Sequence, residues 1–138
     1  MALPSNKKSQ LAQKNIMYQP YHIKLNRRED FKVHYKFYSA EEGGRTSLPH
    51  QGIRSDFWYE HDNHTAKGIF MIWPEFENRD GILIKEGQVL PEGIARMWIV
   101  SEELRPYHKE RITIGTKGYF LEGKRTAECE VIDITGLE

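Results

Sequence analysis

Four places in this 138-residue chain carry residue types that could do chemistry. His61, Asp62 and His64 stand together in YEHDNHT, and two imidazoles with a carboxylate could ligate zinc or iron. Their spacing fits no familiar metal site and a fourth ligand is not evident, so a polar hairpin loop accounts for them more simply. Cys129, the one cysteine, could act as a nucleophile beside a histidine base. A lone cysteine in a strand is more often a small core residue. Gly43, Gly44 and Arg45 could bring backbone amides and a guanidinium fork to a phosphate. A glycine turn with a solvated arginine reads the same residues. Asp56-Phe57-Trp58-Tyr59-Glu60 offers a ring to stack on a base or a partner side chain. Glu41 and Glu42 are adjacent and diverge, so they cannot flank a substrate as acid and base. No nucleophile elbow, Walker loop or dinucleotide fingerprint occurs. The expectation is a protein that is not an enzyme, with no catalytic residue, no metal and no cofactor, nucleotide cofactors included.

The elements that must position these residues are strands. FKVHYKFYS alternates Phe31, Val33, Tyr35 and Phe37 with Lys32, His34 and Lys36, the period of a half-buried strand. GIFMIWPEF is a continuous apolar run ended by Pro74 and predicts a buried strand. GILIKEG predicts a short one, LPEG a turn, and IARMWIV another strand. RITIGTKG and YFLEGKRTAECEVIDI predict the last strands, set apart by Gly115, Gly118 and Gly123. Ala127, Cys129 and Val131 alternate with Thr126, Glu128 and Glu130, which turns Cys129 inward. In DFWYE, Phe57 and Tyr59 face one way and Trp58 the other. A helical stripe is absent apart from two possible turns over residues 10–17, between Pro4 and Pro20. Six or seven short strands predict an all-β barrel or sandwich.

Size and charge set the outer limits. One domain suits this length, and 38% hydrophobic residues are enough for a core. The formal charge is zero, which excludes a polycationic nucleic-acid binder as a whole-protein description. The first 28 residues, however, hold six of the 20 basic residues and no acid. The remainder carries 14 basic against 20 acidic residues. Residues 1–28 are therefore read as a basic, partly ordered arm and 29–138 as the folded domain. With no disulfide framework, no membrane-length apolar run and no signal-peptide core, the protein is expected to be soluble and cytoplasmic.

From Phe31 onward the chain resembles the C-terminal, third β-barrel domain of elongation factor Tu. Glu41, Glu42, Gly43, Gly44, Arg45, Gly52, Arg54 and Phe57 fall in that family's pattern without a gap. FKVHYKFYS stands where the family has the strand leading into this loop. VLPEG resembles its proline-glycine turn, and EGKRT its second Glu-Gly-x-Arg-Thr signature. The resemblance implies a closed six-stranded antiparallel Greek-key barrel. The factor's GTPase domain and second barrel have no counterpart in these residues, so no nucleotide hydrolysis is implied.

In the family this barrel touches the T-stem backbone of aminoacyl-tRNA, packs on the GTPase domain and meets the exchange factor. By resemblance Arg45 stands at a phosphate-contacting arginine, and Thr65, Glu122 and Gly123 at further T-stem positions. Thr46 replaces a histidine, Asp56 a glutamine and Glu60 an arginine. Glu128 and Glu130 replace glycines. Each added carboxylate opposes a polyanion. The first expectation is therefore a module for protein–protein interaction, with Arg54 and Trp58 as candidate contacts. Its alternative is a module binding tRNA or another structured RNA backbone through residues 43–46 and the basic arm.

Overall fold

The structure, a computed structural model, describes residues 18–60 and 69–137. Seven strands form one antiparallel sheet: β1 Phe31–Phe37, β2 Asp56–Tyr59, β3 Ile69–Phe70, β4 Ile72–Phe76, β5 Glu92–Ile99, β6 Lys117–Leu121 and β7 Arg125–Ile134. Their order is β3-β2-β6-β7-β1-β5-β4. The sheet curls, so the inward side chains of all its strands meet in one core. Where the sequence predicts one strand over GIFMIWPEF, the structure has two, β3 and β4, divided at Met71. β3 and β4 are consecutive in the chain, separated by Met71 alone, yet they stand at opposite ends of the order.

β1 is an inner strand of the sheet, paired with β5 on one side and β7 on the other. Its alternation is as the sequence predicts, with Phe31, Val33, Tyr35 and Phe37 buried among Phe57, Phe76, Ala127 and Phe120. Edge-on ring contacts, such as Tyr35–Phe76 at 5.0 Å, tie this core together. Cys129 points inward from β7, as its alternation requires.

β4 and β5 are covered on both faces, which is why their sequence reads as continuously apolar. Ile72, Phe76, Ala95, Met97 and Ile99 face the core. On the outer side, Trp98 and Glu75 lie under a strap formed by residues 18–27. The strap includes the one-turn helix α1 (Tyr21–Lys24), whose Tyr21 ring packs 5.7 Å from Trp98. Pro74 is tolerated because β4 ends the order and needs no second row of amide donors.

Two expected strands are not there. Residues 111–116 form turns, and ahead of them lie a 3-10 turn (Glu102–Leu104) and the short helix α2 (Arg105–Lys109). The 81–87 segment makes only an isolated bridge, Glu77 to Leu83. Hairpin-like bonding by Asn78, whose side chain accepts from Asp80 and Ile82 amides, replaces a ladder there. The two helical turns foreseen over residues 10–17 lie outside the described residues.

Asp30 fastens this framework. Its buried carboxylate accepts from the Ile99 amide at 2.7 Å, from Arg27 at 2.9 Å and from Arg105 at 2.8 Å. Its carbonyl accepts from the amides of Thr135, Gly136 and Leu137. One residue thus joins the start of β1, the end of β5, α2 and the chain after β7. No helix among the described residues is long and apolar enough to cross a membrane.

Candidate interaction surface

The segment between β1 and β2 opens with a reciprocal turn. The Ser39 amide donates to the Glu42 carboxylate at 2.9 Å, and the Glu42 amide donates to the Ser39 hydroxyl at 3.2 Å. These bonds hold the Glu42 carboxyl below the usual carboxylate range. Gly43 follows with φ +92°, and Gly44 passes so close to Tyr38 that a Cβ would lie 2.2 Å from its carbonyl oxygen. Both glycine amides are spent inside the turn, Gly43 on Ala40 O at 3.0 Å and Gly44 on Ser39 O at 2.8 Å.

Arg45 leaves this turn toward the β6–β7 hairpin. Its Nε donates to Ser47 O at 3.1 Å and its Nη1 pairs with Glu122. Glu122 sits in a tight hairpin with Gly123 at φ +76°. Lys124 returns the contact, donating to Gly44 O at 3.1 Å. The two Glu-Gly segments, 77 positions apart at Arg45 and Glu122, are therefore neighbours in space. A shallow depression of about 290 Å³ is lined by Arg45, Thr46, Ser47, Glu122, Lys124 and Thr126.

Next to this hairpin lies an aromatic stack. Trp58 on β2 pairs with Tyr119 on β6, and both are half-buried on the outer face. The Arg125 guanidinium sits 4.7 Å from the Trp58 ring and 4.0 Å from the Tyr119 ring. Across β2 the neighbour of Trp58 is Ile69, 61% exposed. Ile69, Trp58, Tyr119 and Arg125 make one outward patch of apolar, aromatic and guanidinium surface.

The structure brings Arg45, Thr46, Glu122 and Gly123 together and sets Trp58 beside them. Arg54 goes elsewhere: its guanidinium covers the Trp73 ring at 5.1 Å, next to the strap. Thr65, His61, Asp62 and His64 lie outside the described residues. Among the described residues no three His, Cys, Asp or Glu side chains are placed to hold a metal ion. Burial pushes the Cys129 thiol well above its ordinary range, with the Glu128 carboxylate adding to the effect, so a thiolate is disfavoured at neutral pH. Glu128 and Glu130 face outward opposite Lys36 and His34 of β1, and Tyr119 and Lys117 of β6.

Sequence reasoning missed Tyr119 and Arg125. The signal was present in the alternation of Lys117–Leu121, which puts Tyr119 on the face opposite the buried Phe120. The register against β2 was not. No protein-family model matches the chain, and no curated protein gives a significant match to it.

Proposed function

We propose that this chain is a non-catalytic binding module that presents the Trp58 face to a protein partner. The carrying observation is the contrast between two neighbouring surfaces. The cation of the 43–46 loop and that of the neighbouring hairpin are engaged within the chain, Arg45 by Glu122 and Lys124 by Gly44 O. The rings of Trp58 and Tyr119, with Arg125 stacked on them, stay at the surface. Tryptophan, tyrosine and arginine are the residues that dominate interface energetics. A loop whose glycine amides and whose arginine Nε and Nη1 are already engaged has less to offer a phosphate backbone. The tRNA reading through the same loop is therefore second.

We read the sheet as a six-stranded Greek-key barrel like the third domain of elongation factor Tu, working in the cytoplasm. Supporting this, the strands at its two ends run on from one another through Met71, and Trp73 Nε1 of β4 reaches Asp56 of β2 at 3.4 Å. The single unpaired Cys129 fits a reducing compartment.

The test pairs two variants. Immobilised wild-type protein is compared with Trp58→Ala in native extract, and the retained protein is then titrated directly. Loss of about 2 kcal/mol or more, roughly 30-fold in affinity, is expected for Trp58→Ala. In parallel, tRNA is titrated at low salt against wild type and Arg45→Ala. Arg45-dependent tRNA binding, with no protein lost on Trp58→Ala, would overturn the proposal in favour of RNA.

A further inference from the structure

A second site lies where the strap meets the loops at 50–54 and 85–87. A cavity of about 610 Å³ opens there, lined among others by Tyr18, Lys24, Arg54, Lys85 and Glu86. Two lysines and an arginine thus line it with one exposed glutamate. None of the three makes an ion pair among the described residues. Lys32 and Arg96, by contrast, are part-buried and both meet Glu77. With the buried Glu75 carboxylate behind Tyr18 and Tyr21 also counted, the concave site keeps an excess of one positive charge, which favours an anion.

The walls are held in place before any ligand arrives. Tyr18 donates its hydroxyl to Glu75, and its ring packs on Gly52, where a Cβ would come within 2.9 Å. Gly52 has φ +97°, a conformation that glycine adopts without strain. Gln51 locks the same loop: its amide donates to Phe76 O and Ile84 O, and accepts from the Phe76 amide, each at 2.8 Å. The exposed Arg54 rests its guanidinium over the Trp73 ring. Such preorganisation lowers the ordering cost of binding.

We propose that this cavity binds a small organic phosphomonoester. The phosphate, carrying about −1.5 to −2 charges near pH 7, is held by Lys24, Arg54 and Lys85, and the organic body lies along the Tyr18 ring. The volume is in the range of small-molecule sites and far exceeds a lone phosphate. Glu86 sets the selectivity against a second acidic group on the ligand.

Isothermal titration with AMP as probe tests this, with adenosine and inorganic phosphate as separate arms. AMP is expected to bind with a Kd of roughly 1 mM or tighter. Adenosine and inorganic phosphate are each expected at least about tenfold weaker, and added salt weakens AMP binding. Arg54→Gln and Lys85→Gln should each weaken AMP about tenfold, equivalent to about 1.4 kcal/mol. Lys85→Gln serves even if the Arg54 variant folds poorly. Trp58→Ala should leave AMP binding unchanged, which separates this site from the interaction surface. No heat with AMP, equal binding by both glutamine variants, or inorganic phosphate binding as well as AMP would overturn it.

Discussion

Glu75 offers the sharpest test of how the strap is held. Its carboxylate is 0% exposed. It accepts from Trp98 Nε1 at 3.0 Å, from the Tyr21 amide at 2.8 Å and from the Tyr18 hydroxyl. No cation pairs with it among the described residues, so hydrogen bonds alone compensate the buried charge. Bonds to a charged acceptor contribute about 1.5–3 kcal/mol each, and a stranded buried donor costs about 1–3 kcal/mol. In Glu75→Ala the Trp98 and Tyr21 donors are stranded, while the Tyr18 hydroxyl can turn to solvent. The expected loss is roughly 3–6 kcal/mol, a large share of the 5–15 kcal/mol typical of a domain. Glu75→Gln keeps one acceptor oxygen but turns an NH2 toward a donor, so its loss should be about half as large. Urea unfolding followed by tryptophan fluorescence reads the change, because Trp73 and Trp98 both lie against Tyr21. Limited proteolysis of the 18–24 segment separates strap release from global unfolding. An alanine variant within about 0.5 kcal/mol of wild type, with the strap still protected, would refute this account of a buried carboxylate.

Two further outcomes are expected. Burial, reinforced by the Glu75 carboxylate, pushes the Tyr21 hydroxyl up from 10.0 to about 12, and burial also raises Tyr18 and Tyr35. A folded-state value above the unfolded one means this stability is complete below pH 10 and drains away as pH rises from 10 toward 12. Urea midpoints level through pH 9 and falling beyond pH 10 are expected; a level profile to pH 11 would contradict it. A double-mutant cycle on Arg45 and Glu122, both roughly a quarter to a third exposed, should yield a coupling of no more than about 1 kcal/mol. A value above about 2 kcal/mol would mean that the pair, rather than the glycine turn, builds the loop.

The parts of the fold legible in the sequence are those where one face is wet and the other dry. Phe31 to Phe37 and Ala127 to Val131 alternate because solvent lies on one side of their strands, and the structure keeps both patterns. Trp98 and Glu75 break the rule, since a strap from far along the chain covers their outer face. Period-two reasoning cannot anticipate that cover. Arg105–Lys109 is one and a half turns long, too short to show a 3.6-residue stripe, and Pro106 disguises it as a loop. At the site, the family resemblance places Arg45 and Glu122 on one RNA-facing surface, but it does not anticipate their pairing with each other. The Trp58–Tyr119–Arg125 stack required the β2–β6 register, which single-chain periodicity does not encode.

The Asp30 junction bears on the order in which this chain can fold. Inner strand β1 is made well before its partner β7 and the amides of Thr135 to Leu137 that close on Asp30. The neighbouring Thr135 hydroxyl bonds Glu29 O across 106 residues. Until the final strand leaves the ribosome, β1 has one open edge and the Asp30 carbonyl lacks its three donors. Closure of so long a loop is entropically slow, and it places this protein among high-contact-order folders. The nascent chain therefore carries an exposed, aromatic-rich strand edge until β7 has emerged, a state in which chaperone protection has the greatest effect on yield.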